Sequence, residues 1–354
     1  MSHTPNTLTA GRLAPAALWG LLAASLAVST ALFGLIAASN GSALNIIGLV
    51  VAAGALYLAA SWAISRVVEG RRRALDRLMT AAVTAAFLLA LVPLISLAVT
   101  AFVNGLARFD ATFFTWSMRN VVGAGGGALA AIVGTLFITG AAIIISVPIG
   151  LMTAIYLVEY GTGRMARIVT FLVDVMTGIP SIVAGLFAYA LLSLVFQDPG
   201  YRAGFGGAIA LSLLMIPVVV RSTEEMLRLV PSELREASLA LGVPKWRTIV
   251  KVVLPTAVAG IVTGVMISIS RIIGETAPLL LVAGATASMN YNLFAERMMT
   301  LPVFVYTQYM NQGTDSQAYI DRAWTGALTL ILIVALLNIG ARIIAKLAAP
   351  KGER

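Results

Sequence analysis

Apolar residues run along this chain in long unbroken blocks rather than in the short alternating or helical stripes of a soluble domain. Blocks at about 14–38, 43–64, 79–103, 129–157, 168–196, 206–222, 253–283 and 323–347 are each close to or beyond the roughly 20 residues that a helix needs to cross a hydrocarbon core of about 30 Å. The pattern predicts an all-α polytopic membrane protein with about eight transmembrane helices. The first block is longer than the apolar region of a signal peptide, has little flanking charge beyond Arg12, and runs through Asn40-Gly41-Ser42 into the second. The two together read as a membrane hairpin. A basic stretch from Arg66 to Arg77 then divides residues 1–77, the hairpin and its linker, from residues 78–354, which carry six further spans.

Composition acts mainly by exclusion. Of 354 residues, 59% are hydrophobic and 11% charged, against roughly 25% charged in an average soluble domain, and the mean hydropathy is +0.94. There is no cysteine, and the single histidine is His3. Thiol catalysis, disulfides, Cys-His zinc sites and haem ligation therefore lack material, and neither a metal site nor an enzyme centre is expected. The net charge of +9 has another origin. With a cytoplasmic N-terminus, eighteen of the 24 Lys and Arg residues fall inside, five outside, and Arg271 within the membrane. This is the positive-inside asymmetry, so both termini are expected in the cytoplasm and the charge carries no nucleic-acid signal.

The longest charged stretch, Arg221 to Lys251, is patterned. Pro231-Ser232-Glu233 reads as a helix start with Ser232 as N-cap, and Gly242 followed by Pro244 reads as its stop. The helix between them has about ten residues, about 15 Å, and carries Leu234, Ala237, Ser238 and Leu241 at helical spacing as a small, mildly apolar face. No Gly-x4-Gly-Lys-Ser/Thr motif occurs, and Gly123-Ala124-Gly125-Gly126-Gly127 reads as a flexible outer turn rather than a phosphate loop. The outer segment of about 284–322 holds Tyr291, Phe294, Phe304, Tyr306, Tyr309, Met289, Met298, Met299 and Met310. It is too apolar for a solvated tether and suits a folded membrane-skirting segment, a partner surface or an interfacial aromatic belt.

Three charges remain inside spans: Asp174, Arg271 and Glu275. Each costs about 2.5 to 3.5 kcal/mol at a helix centre on insertion scales, so each needs a partner or a wet pathway. Arg271 and Glu275, four residues apart, are placed to share one helix face, either as a self-neutralised pair or as an oxyanion-binding guanidinium tempered by a carboxylate. Asp174 lies nearer the inner end and is matched to Arg221 rather than to Arg271. Gly178, Pro180 and Gly185 permit a kink or opened turn, leaving amides and the Ser181 hydroxyl for an anion, or simply a close helix approach.

The segment Glu236-Ala237-Ser238-x3-Gly242-x9-Val252-Val253-Leu254-Pro255 resembles the EAA signature of ABC-importer permeases, Glu-Ala-Ala-x3-Gly-x9-Ile-x-Leu-Pro, departing at Ser238 and Val252. Arg271 to Leu279 resembles the Arg-x-x-Gly-Glu-Thr segment of phosphate-specific ABC importers, and Ala277-Pro278 points to the PstA-type permease over its sister subunit. Gly178-Ile179-Pro180-Ser181 is similar to another segment of these transporters, and Leu301-Pro302-Val303 with Leu336-Leu337-Asn338 to that subunit's C-terminal region. The resemblance covers about 78–354.

It implies an ABC importer type I permease core of six helices behind the N-terminal hairpin, in a bacterial inner (plasma) membrane. The chain would be the transmembrane subunit of an ATP-driven phosphate importer and form half of its translocation pathway. A coupling loop, 222–252, would engage a separate ATPase through Glu236, Ala237, Ser238, Gly242, Leu254 and Pro255. Arg271, Glu275, Thr276 and Ser181 become pathway candidates, while Asp174, Arg221, Gly178 and Pro180 serve structure or pathway. ATP and Mg would sit on the partner ATPase, with no cofactor on this chain. The implied partners are a PstC-type sister permease, an ATP-binding subunit dimer, a periplasmic or extracellular phosphate-binding protein and the lipid bilayer. Two alternatives stand: a permease for another oxyanion such as sulfate or molybdate, and an ion-coupled secondary transporter using Asp174, Arg271 and Glu275 as a charge relay.

Overall fold

A computed structural model describes residues 13, 15–41 and 43–348. Expectations resting on His3, Arg12, Ser42, Lys351, Arg354 and the two termini lie outside them. Among the described residues every regular element is helical. Seven helices are long and apolar enough to cross a membrane, and one bent pair raises the number to eight. The chain divides at Val99/Thr100 into two compact units.

The first unit holds α1 (Pro15–Asn40), α2 (Ile46–Val68) and most of α3 (Arg71–Gly105). Helices α1 and α2 form the expected hairpin and bury small residues, Ser25, Ser29, Ala53, Ser61 and Ser65, between them. Gly48 shows why: a Cβ there would lie 2.7 Å from Cε1 of Phe33. Without a hydrophobic force between helices in lipid, such close packing against small residues carries the association. The ends of the three helices are tied by Glu69, whose carboxylate accepts from the Leu13 N–H at 2.7 Å, the Ser65 hydroxyl at 2.6 Å and Arg77 at 2.6 Å. Gly70, at φ +88°, makes the turn into α3 that brings Arg77 back onto it.

The second unit contains α4 (Ala111–Thr115), α5 (Leu129–Ile155), α6 (Gly163–Thr177), α7 (Ser181–Phe196), α8 (Gly204–Arg228), α9 (Ser232–Ala240), α10 (Lys245–Thr248), α11 (Leu254–Ile272), α12 (Ala277–Val282), α13 (Leu301–Met310) and α14 (Ser316–Ala348). Its centre is the pair α5 and α8, where Ile138, Ala142, Leu211, Met215 and Val219 are buried. A Cβ on Gly150 of α5 would lie 2.7 Å from Cγ1 of Val219. Helix α11 approaches α8 equally closely, with Gly264 against Ser222. A π-helical turn, Tyr156–Tyr160, ends α5, and another, Ile249–Val253, joins α10 to α11.

Two predicted spans are not continuous. The block at 168–196 is α6 and α7, bent by 109°. Pro180 donates no amide, and the residue before a proline avoids the α region, so the helix cannot pass through Ile179-Pro180. The block at 253–283 stops at Ile272 and resumes at Ala277 as the short α12, with Pro278 in its first turn.

The outer segment folds inward over part of its length. Met298, Met299, Leu301 and Phe304 are buried, whereas Tyr291, Phe294, Tyr306, Tyr309 and Met310 are exposed. A Cβ on Gly134 would lie 1.9 Å from the Met299 carbonyl oxygen, and Thr135 Oγ1 accepts the Leu301 N–H at 2.7 Å. The glycine turn is not the flexible turn expected. Gly123, Gly125 and Gly126 adopt positive φ, and this exposes their carbonyls to two guanidinium groups. Arg322 donates to the Gly123 and Gly125 oxygens at 2.6 and 3.1 Å, and Arg108 to those of Gly125 and Gly126 at 3.3 and 3.1 Å. Gln308 of α13 accepts from Arg322 Nε at 2.8 Å, so the turn, α13 and α14 are fixed to one buried cation.

Burial works against ionisation of Glu69, but the bonds from Ser65, the Leu13 amide and Arg77 outweigh it and hold the carboxyl below its ordinary pKa. The clamp is therefore fully present above the unfolded carboxylate pKa of about 4.3 and is lost as pH falls through the lower folded value. Acidification below about pH 4 is expected to lower the amide protection factors of residues 66–77, taken relative to intrinsic exchange at each pH, and Glu69→Gln to lower them at neutral pH with little further dependence on acid. Identical exchange in the two proteins at pH 7 would remove the clamp.

Candidate functional site

Two places in the second unit concentrate the residues singled out from sequence. The first is the loop between α8 and α11. Helix α9 starts one residue earlier than expected: Pro231, at φ −56° and ψ 139°, holds the N-cap position, and Ser232 is the first helical residue and makes no cap bond. Its end is as the glycine predicted. Gly242 has φ +75°, its N–H reaches the Leu239 oxygen at 2.9 Å and the Val243 N–H reaches the Ser238 oxygen at 3.3 Å. This is the paired bonding of a Schellman stop.

The expected apolar face divides. Leu234, Ala237 and Leu241 are exposed, whereas Ser238 turns inward and its hydroxyl meets Thr248 Oγ1 at 2.8 Å. The departure from the EAA pattern at Ser238 thus has a physical counterpart, since alanine could not make that bond. Glu233 and Glu236 are also exposed. Beneath them the loop is anchored by Arg235, which donates to Glu159 Oε1 at 3.0 Å and to the Val230 and Leu227 carbonyls at 2.6 and 2.8 Å. Lys245 donates to the Glu159 carbonyl. Val252 and Leu254 are partly buried and Pro255 is exposed at the start of α11, on the same side of the unit as α9.

Glu159 and Glu224 are site residues that the sequence reading missed. Arg221 pairs with Asp174, as its position near the end of α8 predicts, and also donates to Glu224 at 2.8 Å, while Arg228 donates to the other oxygen of Glu224 at 2.6 Å. Glu224 had a local signal, since Arg221 and Arg228 lie three and four residues from it on one helix. Glu159, 76 residues from Arg235, had none.

The second place is the pair of breaks. At the first, the Gly178 and Ile179 N–H groups bond back to Val175 and Met176, and Pro180 offers its carbonyl to Val183 and Ala184. Ser181 is partly buried and opens α7. At the second, the Glu275 N–H bonds to the Ile272 oxygen at 3.1 Å and the Leu280 N–H to the Thr276 oxygen at 2.9 Å. The segments touch, because a Cβ on Gly185 of α7 would lie 2.7 Å from Cα of Pro278 in α12. Gly178–Gly185 and Arg271–Leu279, about ninety residues apart, therefore meet.

The helix-face pairing of Arg271 with Glu275 does not occur. Helix α11 ends at Ile272, which takes Glu275 off the 3.6-residue spiral, and no ion pair joins the two among the described residues. Arg271 is exposed on the surface of the chain, with Glu275 and Thr276 partly buried beside it. Sixteen helical residues separate Arg271 from Pro255, about 24 Å, so the loop and the breaks are separate sites. No cluster of His, Cys, Asp and Glu able to hold a metal occurs among the described residues.

If the Gly242 conformation rather than its size terminates α9, Gly242→Val should disrupt the loop and Gly242→Asn should be tolerated, because open space surrounds the position and only φ is demanding. The expected difference is about 1 to 2 kcal/mol in local stability, read as amide exchange over 232–248. Equal effects of both variants would refute a conformational role.

Residues 146–353 match the family model described as binding-protein-dependent transport system inner membrane component. "Phosphate transport system permease protein PstA 1" of Mycobacterium tuberculosis H37Rv is 48% identical over 286 residues, 79% of this chain and 91% of that protein. The PstA proteins of Mycobacterium leprae and Yersinia pestis are 46% and 38% identical, over 78% and 79% of this chain and 90% and 92% of theirs. Among solved structures, a bacterial alginate ABC transporter with an alginate-bound periplasmic protein shares the fold at a TM-score of 0.51 and 16% identity, covering 79% of this chain and 99% of that one. A second alginate importer structure gives 0.50 with the same identity and coverage. The chain belongs to the binding-protein-dependent inner-membrane transport components and, within them, to the PstA-type phosphate transport system permeases.

Proposed function

We propose that the chain is the transmembrane subunit of an ATP-driven phosphate importer, forming half of the pathway beside a PstC-type sister permease. The observation that carries the reading is Arg271. A guanidinium exposed on the chain's surface, about 24 Å along α11 from the loop end, cannot face lipid without a cost of about 2.5 to 3.5 kcal/mol. It is accommodated where a second permease or a wet path meets it. Its planar fork suits a tetrahedral dianion. Lying beside two helix breaks, whose irregular backbone is tolerated only against protein or a water-lined cavity, it favours the pathway.

At the other site, the exposed Leu234, Ala237, Leu241 and Glu236 of α9 suit insertion into a groove of a separate ATP-binding subunit dimer, which would carry ATP and Mg. The anchor through Arg235 and Glu159 would pass a displacement of α9 to the end of α5, and the Arg221 bonds to Asp174 and Glu224 would pass one from α8 to α6. The 109° joint at Gly178–Pro180 would let α6 move against α7. In this reading the α9 end faces the cytoplasm, in keeping with the charge asymmetry, and a periplasmic phosphate-binding protein delivers cargo at the other end.

The test is uptake by the reconstituted complex at matched abundance. Labelled phosphate should be taken up in an ATP-dependent way and sulfate or molybdate should not; preference for another oxyanion would replace the cargo, and uptake driven by an ion gradient without ATPase would replace the class. Because Arg271 and Glu275 are not paired, Arg271→Gln with Glu275→Gln should stay as defective as Arg271→Gln alone, at least tenfold below wild type. Near wild-type uptake by the double variant would return Arg271 to a scaffold role.

A further inference from the structure

Two arginines near the start of α6, Arg164 and Arg167, make no ion pair or hydrogen bond among the described residues. Together with Ile168 and Phe171, on one exposed face of α6, they line an open groove of about 410 Å³. Arg167 and Phe171 also border a neighbouring cavity of about 370 Å³ that reaches Asp174, Glu224 and Arg228. The carboxylates of that second cavity are already engaged by Arg221 and Arg228, so they do not neutralise Arg164 or Arg167. The two guanidinium groups thus lie along an open groove with apolar side chains, and the carboxylates next to Arg167, those of Asp174 and Glu224, are already paired with other arginines.

The surroundings select the anion. Met165, Ile168, Phe171, Leu172 and Val175 of α6 are exposed, and α6 is turned by 109° from α7. Cations and large apolar side chains therefore alternate along one helix at the end of the unit that also carries α9. A small hydrated anion has no use for the apolar half. A phosphodiester bearing acyl chains uses both, its charge on the guanidinium forks and its chains along Ile168 and Phe171.

We propose that Arg164 and Arg167 form a headgroup site for an anionic phospholipid of the leaflet at the α9 end, with Ile168 and Phe171 receiving the acyl chains. The site borders the Asp174–Arg221–Glu224–Arg228 network, so lipid occupancy bears on α6, the helix that leads into the break at Gly178–Pro180. The proposal does not depend on which cargo the transporter carries.

The test is native mass spectrometry of the intact transporter complex released from nanodiscs of phosphatidylglycerol and phosphatidylcholine. The wild type is expected to retain phosphatidylglycerol preferentially. Arg164→Gln with Arg167→Gln should weaken retention about twenty-five-fold, at about fivefold for each cation, whereas the paired lysine variants should keep most of it. Arg119→Gln, an exposed arginine beyond the opposite end of α5, should change nothing. Equal retention by wild type and the double glutamine variant would overturn the site. So would binding of inorganic phosphate in phosphatidylcholine nanodiscs with the same arginine dependence and no phosphatidylglycerol preference, which would assign it to a free anion. Loss of subunit association in the double variant, with lipid retention unchanged, would assign the arginines to a protein contact.

Discussion

A backbone amide inside a bilayer has no water to fall back on, and that constraint governs the second unit. Its four long apolar helices, α5, α8, α11 and α14, meet the demand by being helical, but two signature segments break the helix. Each break is a short turn that re-satisfies part of what it frees: Gly178, Ile179 and Glu275 bond back by three residues, and Pro180 and Thr276 lend their carbonyls forward. The remainder is handled by mutual packing, α7 against α12, at a distance that only Gly185 permits. Irregular backbone in hydrocarbon is confined to places shielded by protein or open to a wet cavity. The two breaks therefore tell where this chain departs from a lipid-facing bundle.

Charge is managed by one device used three times. Glu69, Glu159 and Glu224 are carboxylates with little exposed side chain, at 1%, 7% and 8%. Each sits at or near a helix end and is held by arginine. Removing one partner of such a pair costs more than the pair contributes, because an uncompensated buried charge remains. The device thus fixes geometry more than it adds stability: Glu69 gathers the ends of α1, α2 and α3, Glu159 holds α9 to the end of α5, and Glu224 joins with Arg221 to bind α6 to α8. Arg322 is the inverse case, a buried cation fixed by the carbonyls of a glycine turn and by Gln308, and there the positive φ of the glycines is what points the oxygens inward.

Much of this was legible in the sequence, for reasons that differ by element. Continuous apolar blocks located α1, α2, α3, α5, α8 and α14 because length against bilayer thickness is a strong constraint. Gly242 announced the end of α9 because few residues accept its φ. Proline and glycine at 178–180 marked a weakness without its size, since local chemistry permits a kink and tertiary packing sets the 109°. The break after Ile272 was hidden inside an apolar run, and with it the failure of Arg271 to meet Glu275: an i, i+4 argument holds only where the helix continues. Contacts between distant segments, such as Arg235 with Glu159 or Arg322 with the Gly123 turn, carry no local pattern at all. Ser238 was legible as a departure from a motif, while its reason, Thr248, required the fold.

Arg271 is best understood against these other arginines. Arg221 has two carboxylates, Arg235 has a carboxylate and two carbonyls, and Arg322 has carbonyls and an amide oxygen. Each is held by acceptors of its own chain, although Nη2 of Arg322 is buried without a partner, and is correspondingly fixed. Arg271 has no such partner among the described residues, although Glu275 is four positions away. A tightly paired guanidinium would offer little to an incoming dianion, because binding would first have to break the pair. A guanidinium alone in a dry cavity would hold an anion too strongly to release it. In the proposed pathway role, an unpaired Arg271 with a carboxylate nearby but not bonded would avoid both extremes, with water or a second permease supplying its solvation between cargo molecules. The ending of α11 at Ile272 is what keeps the two residues apart, so the backbone break and the availability of the charge are one structural fact.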